Sequence, residues 1–148
     1  MSIVEKLDQD IIVAMKSGDK FKVTVLRTLK SDLKNEHINK GTPLTDDVVI
    51  GVLSSSAKRR RDSIEQFRNA GRNDLVDKET AELAILTTYL PEQMSEADVR
   101  VLVAEAIAET GADSPQKAGL VMKVLMPKVK GKADGKMVNR LVSEMLAK

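Results

Sequence analysis

The residues of this chain best suited to chemistry with another molecule lie in the stretch KAGLVMKVLMPKVKGKADGKMVNR, residues 117–140. Seven side chains there are basic (Lys117, Lys123, Lys128, Lys130, Lys132, Lys136 and Arg140) against one acid, Asp134. Four of the lysines, Lys128, Lys130, Lys132 and Lys136, crowd a connection that also holds Gly131 and Gly135. Such a cluster suits a polyanion, because Lys and Arg contacts to phosphates supply most of the affinity for nucleic acid. The glycines permit close backbone approach, and the start of the following helix offers N–H groups to an anion. Asp134 sits where it can cap that helix and satisfy one or two of those donors. The expected ligand contacts are therefore the side chains of Lys123, Lys128, Lys130, Lys132, Lys136 and Arg140, with Gly131 and Asp134 structural. The competing reading is a lysine-rich loop kept solvated for solubility.

Other motifs carry less. Gly131-x-x-x-Gly135–Lys136 is one residue short of a nucleotide phosphate loop, and Met137 stands where a magnesium-holding Ser or Thr would be. Lys58, Arg59, Arg60 and Arg61 occupy consecutive helical positions and so point in all directions rather than forming one patch. Asp62 and Glu65 are placed to pair with some of them, and an auxiliary phosphate contact is the second reading. The aromatic residues are Phe21, Phe67 and Tyr89. All three fall at apolar helical positions and read as core, so an RNA ligand would be gripped by shape and phosphate rather than by stacked bases. Tyr89 is expected to pack the joint before Pro91, its hydroxyl bonded locally. His37 is the single histidine and there is no cysteine, so no metal site is expected. Ser55-x-x-Lys58 and the run Ser54, Ser55, Ser56 lack the Gly-rich oxyanion surroundings and partner motifs of acyl-transfer enzymes. No catalytic residue and no cofactor are expected.

Composition frames these motifs. At 148 residues, with 42% hydrophobic and 31% charged side chains, the chain is globular and holds one or two domains. The absence of cysteine excludes disulfides, thiol nucleophiles and zinc–thiolate sites. The N-terminal MSIVEKLDQD has acids and no apolar signal region, and no apolar run approaches a membrane span. The expectation is a soluble, cytoplasmic protein without a membrane partner. The net charge of +2 hides an asymmetry. Residues 92–113 hold six acids and one base, whereas residues 114–148 hold eight bases and two acids. Such a contrast bears on partners rather than on fold.

Every longer segment repeats its apolar residues at a helical period. A first helix at about 3–17 presents Val4, Leu7, Ile11 and Met15 and stops at Gly18. A second, at about 19–40, carries Val23, Leu26, Leu29, Leu33 and Ile38 and stops at Gly41. A third runs from Thr45 to about Ala70 with Asp46 and Asp47 in its first turn. A fourth starts near Asn73, and Pro91 marks its boundary. Beyond Pro91 the helices shorten. Ser95 caps one that ends at Gly111, Ser114–Pro115 opens another interrupted near Pro127, and Asp134 caps the last. This is an all-α chain, expected as a four-helix N-terminal domain, 1–91, joined to a small three-helix C-terminal domain, 92–148.

Several motifs occur together and in order: Arg61–Asp62–Ser63–Ile64–Glu65–Gln66–Phe67, Gly71–Arg72–Asn73–Asp74–Leu75, Tyr89–Leu90–Pro91–Glu92–Gln93 and Lys130–Gly131–Lys132–Ala133–Asp134. With them the whole chain resembles the small bacterial YqeY proteins. Its C-terminal part is similar to the tail domain of the GatB subunit of the glutamine-dependent aminoacyl-tRNA amidotransferase, a carbon–nitrogen ligase, and to a module appended to some glutaminyl-tRNA synthetases. The resemblance implies an all-helical two-part fold and a tRNA link, since the amidotransferase tail contacts the tRNA body. It carries over no catalytic residue, because that enzyme's machinery lies outside its tail. The implied partners are tRNA and an amidotransferase or synthetase, with no DNA specificity. A helical protein-interaction adaptor with no RNA contact is the alternative.

Overall fold

The computed structural model describes residues 1–147, leaving only Lys148 outside, and every regular element among them is helical. The order is α1 Ile3–Ser17, α2 Lys20–Lys40, α3 Asp46–Asn69, α4 Asn73–Thr87, α5 Glu96–Thr110, a 3-10 turn Pro115–Lys117, α6 Ala118–Val129 and α7 Gly135–Leu146. The chain falls into two compact units, Met1–Pro91 and Glu92–Lys148.

In the first unit local signals set the helix ends. Ser2 Oγ accepts the Glu5 N–H at 3.1 Å and the Glu5 carboxylate accepts the Ser2 N–H at 3.2 Å, a complete capping box. Gly18, at φ 76°, closes α1 in the left-handed conformation. Asp19 then caps α2 and Thr45 caps α3. Asp46 also accepts the Ile3 N–H at 3.0 Å, which stitches the start of α3 to the start of α1. The core gathers Leu7, Ile11, Leu26, Leu29, Leu33, Val49, Leu53, Ala57, Leu86 and Tyr89. Each fully buried leucine contributes about 1.5–3 kcal/mol.

Three expectations about apolar side chains in this unit need correction. Met15 is 54% exposed, and Ala14, at 2%, takes its place in the core. Phe21 is 42% exposed: it precedes Leu26 by five residues, about 140° around the helix, and so faces away from the leucine line. Ile38, at the end of α2, is exposed. Arg60 lies on the face of α3 that carries Ala57 and Ile64, and it pairs across to α4, with Glu79 at 3.3 Å and with Glu82.

Tyr89 is also bonded differently from expectation. Its hydroxyl donates to Asp10 of α1 at 2.6 Å, a partner 79 residues away. The Lys6 ammonium lies 5.3 Å from the ring centroid, a cation–π distance. Burial, reinforced by the Asp10 carboxylate, raises the hydroxyl's pKa well above its ordinary 10.0.

In the second unit Ser95 Oγ accepts the Asp98 N–H and opens α5. The core is Val99, Val103, Ala106, Ala112, Val121, Leu125, Val129, Val138, Leu141, Val142 and Leu146. Helix α6 was expected to break near Pro127 but runs through it to Val129. The proline removes one backbone donor from the last turn, while Leu125 and Val129 on the opposite face are fully buried and hold the helix in place.

The Tyr89–Asp10 bond generates a prediction. Tyr89→Phe should lower stability by about 1–2 kcal/mol at neutral pH. The unfolded chain ionises its tyrosine near pH 10.0 and the folded chain does not, so this residue's contribution is intact below that pH and is lost as pH rises above it. Urea titrations at stepwise alkaline pH should show the variant losing less stability than the parent above pH 10.

Candidate nucleic-acid interface

The basic residues of 128–136 are positioned by the turn between α6 and α7. The Lys130 N–H donates to the Met126 carbonyl at 2.9 Å and closes α6. Gly131 follows at φ 76°, a left-handed conformation that favours glycine. The N–H groups of Lys132 and Ala133 both return to the Val129 carbonyl, at 2.9 and 3.1 Å. Asp134 Oδ1 accepts the Lys136 N–H at 3.2 Å and starts α7, as its N-cap position suggested. Burial alternates through the turn: Val129 and Gly131 are buried, Lys130 and Lys132 exposed.

A second segment straps this turn. The Gln93 side-chain amide donates to the Gly131 carbonyl at 2.8 Å. The Met94 N–H donates to the Lys132 carbonyl at 2.7 Å. The end of the Tyr89–Gln93 motif and the Gly131–Asp134 motif thus form one structural piece. Sequence reasoning treats them separately, because nothing local to either points to the other.

Ion pairing sorts the basic residues. Arg140 on α7 pairs with Glu96 at the start of α5 and with Glu144 at 3.2 Å. Arg100 stands 3.6 Å from Glu144 and 3.9 Å from Glu96, so the four charges alternate in sign. The Arg140 guanidinium lowers the pKa of the Glu96 carboxyl below its ordinary 4.5. Lys117 pairs with Asp113 at 2.9 Å, and Lys128 has Glu109 at a looser 3.8 Å. Among the described residues, Lys123, Lys130 and Lys132 make no ion pair within 4.0 Å. Lys136 is exposed in the first turn of α7, one turn before Arg140. Lys123 lies within α6, seven residues before Lys130, which stands just past the helix end with a non-helical ψ of 124°. The turn therefore brings Lys128, Lys130, Lys132 and Lys136 into one short stretch, with Lys123 further along α6. Arg140 is engaged by carboxylates.

The other singled-out residues sit elsewhere. Tyr89 belongs to the core of the first unit, and Pro91 is half-buried at that unit's end. His37 is exposed and its Nδ1 contacts the Thr42 carbonyl at 2.7 Å. Ser56 is buried, 4% exposed, within α3. No helix is long and apolar enough to cross a membrane, and no group of three or more acidic or histidine side chains could hold a metal ion, among the described residues.

Comparison with known proteins places the whole chain. The family described as Yqey-like protein matches residues 4–146. The chain belongs to the YqeY-like family. Among curated relatives of this YqeY-like chain, the protein named Altered inheritance of mitochondria protein 41, mitochondrial, from Pyrenophora tritici-repentis is 31% identical, over 97% of this chain and 81% of the relative. The protein of the same name from Lachancea thermotolerans is 32% identical, over 88% of this chain and 70% of the relative. That of Saccharomyces cerevisiae is 29% identical, over 90% and 71%. These names correct the expectation of a cytoplasmic protein, since the relatives are named as mitochondrial. One signal behind that expectation, the lack of cysteine, does not separate the cytoplasm from other reducing compartments.

The turn's geometry makes a stability prediction. Gly131→Ala forces a side chain into the left-handed region and should cost about 1–2 kcal/mol. Asp134→Ala removes a helix cap and should cost about 1 kcal/mol. Chemical denaturation of both variants checks this, and a Gly131→Ala variant as stable as the parent would contradict the assigned backbone.

Proposed function

We propose that this YqeY-like chain is a tRNA-associated accessory protein that grips the body of tRNA through backbone phosphates. Lys130 and Lys132 make the central contacts, flanked by Lys123, Lys128 and Lys136, with Arg140 available once it leaves its carboxylates. The observation that carries the reading is that Lys130 and Lys132 project from a tightly bonded turn without an acidic partner, while Arg140 and, more loosely, Lys128 are met by acids of α5 and α7. A phosphate backbone supplies the counter-charges that the protein withholds. On this reading 1–91 and 92–148 act as separate domains, the second resembling the amidotransferase tail. The chain then works beside a glutamine-dependent tRNA amidotransferase or a tRNA synthetase and performs no amidation alone. Duplex DNA would meet the same lysines without sequence preference.

A distinct observation favours the adaptor reading. Ile12, Val13, Met15 and Phe21 are all exposed around the Gly18 turn. A cleft of about 370 Å³ opens there, lined by Ala14, Met15, Val23, Lys20 and Arg27 among others. Of the exposed apolar side chains Met15 lines the cleft, and exposed apolar surface of this kind suits docking.

The two readings separate experimentally. The double variant Lys130→Glu/Lys132→Glu should bind unfractionated tRNA roughly tenfold or more weakly, with a salt slope shallower by about 0.9 for each phosphate it no longer neutralises. Unchanged affinity, or affinity insensitive to salt, would sink the phosphate reading. A protein partner retained after nuclease treatment and released by Met15→Glu would instead support the adaptor.

A further inference from the structure

We infer that Gln93 is a positioning residue for the basic turn: by bonding the Gly131 carbonyl it holds Lys130 and Lys132 outward for an anionic ligand. The inference rests on the phosphate-binding reading and adds a residue that carries no charge and lies 38 positions from the turn.

The chemistry of the bond is selective. A carbonyl only accepts, so only the Nε2 end of the Gln93 amide can meet the Gly131 oxygen. A glutamate in the same place would set carboxylate against carbonyl and bring a negative charge to the lysines. The neighbouring rung, from the Met94 N–H to the Lys132 carbonyl at 2.7 Å, works in the same way. Both bonds engage backbone carbonyls of the turn and leave the ammonium groups of Lys130 and Lys132 to a ligand. They also occupy two carbonyl oxygens that would otherwise offer negative dipole ends beside a phosphate. Gly131 is buried at φ 76°, so its carbonyl needs a partner from the protein. The Gln93 amide supplies one from a separate segment of the chain. Without it the turn keeps its internal bonds to Val129 and the Met94 N–H bond to the Lys132 carbonyl but loses a tie that orients it on the segment leading into α5. The lysines then sample more orientations, and a phosphate must order them at the moment of binding.

The test uses the full chain with unfractionated tRNA as the probe. Gln93→Ala should weaken binding about fivefold, the equivalent of one net hydrogen bond. The Met94 amide, which the strap shelters, should exchange with solvent faster in Gln93→Ala even without RNA. In a Lys130→Ala/Lys132→Ala background, Gln93→Ala should have no further effect on binding, because it acts through those two side chains. A merely structural residue would weaken both backgrounds equally, and that additive result overturns the inference. If Gln93→Ala is destabilised, Gln93→Met keeps the side chain's length without the donor and carries the same expectations. Should the double lysine variant bind like the parent, the phosphate reading itself falls. Should the lysine variant be weakened while Gln93→Ala binds normally, only the role of Gln93 falls.

Discussion

Val129 and Val138 are both fully buried in the core of the second unit, and only eight residues separate them. Within that span the chain must leave α6, reverse, and enter α7. The consequence is an alternation dictated by geometry: Val129 inward, Lys130 outward, Gly131 inward with a left-handed backbone, Lys132 outward, Asp134 at the cap. The lysines are exposed because their neighbours are obliged to be buried. Every feature of the candidate interface, including the carbonyls that Gln93 and Met94 seize, follows from this short reversal between two anchored valines.

Electrostatics then selects among the basic residues. The acidic residues near α5 and those of α7 are not a separate patch opposing the lysines, as the linear charge asymmetry suggests. Glu96 and Glu144 bracket Arg140 and Arg100, Glu109 lies near Lys128, and Asp113 holds Lys117. These pairs are exposed and individually weak. Their effect is one of distribution: they offset charge around the turn and leave Lys123, Lys130 and Lys132 as the unneutralised bases. A polyanion would meet a focused contact rather than a uniformly basic face.

Helix limits were largely legible in the chain because they depend on local chemistry. Thr45, Ser95 and Asp134, where the sequence already places helix starts, each cap a helix through a donor two or three residues away, and the structure adds Ser2 with Glu5 and Asp19. Side-chain fates were less legible. Phe21 is an aromatic residue in a helical pattern, yet its angle on α2 carries it away from the leucine line. Pro127 ends no helix because buried residues on the other face hold the last turn. Tyr89 reaches Asp10 and Arg60 reaches α4, both across distances that no local pattern encodes. The cytoplasmic location failed for another reason: compartment is not a property that core packing or the absence of cysteine determines.

By itself the sequence determined the all-helical class, the caps at Ser95 and Asp134 but not the one expected at Ser114, which makes no side-chain cap bond, most of the buried apolar positions and the lysine-rich connection between two helices. These rest on periodicity and on hydrogen bonds closed within a turn, so they are set by neighbours in the chain. Only the tertiary structure decided which lysines face solvent without a counter-charge, which arginine is occupied, and that Gln93 belongs to the basic turn. Those outcomes depend on pairs 38 and 44 residues apart, Gln93 with Gly131 and Arg140 with Glu96, as the place of Tyr89 in the first unit depends on Asp10, 79 residues away. Packing within each core brings such pairs together, and no pattern in the order of residues announces them.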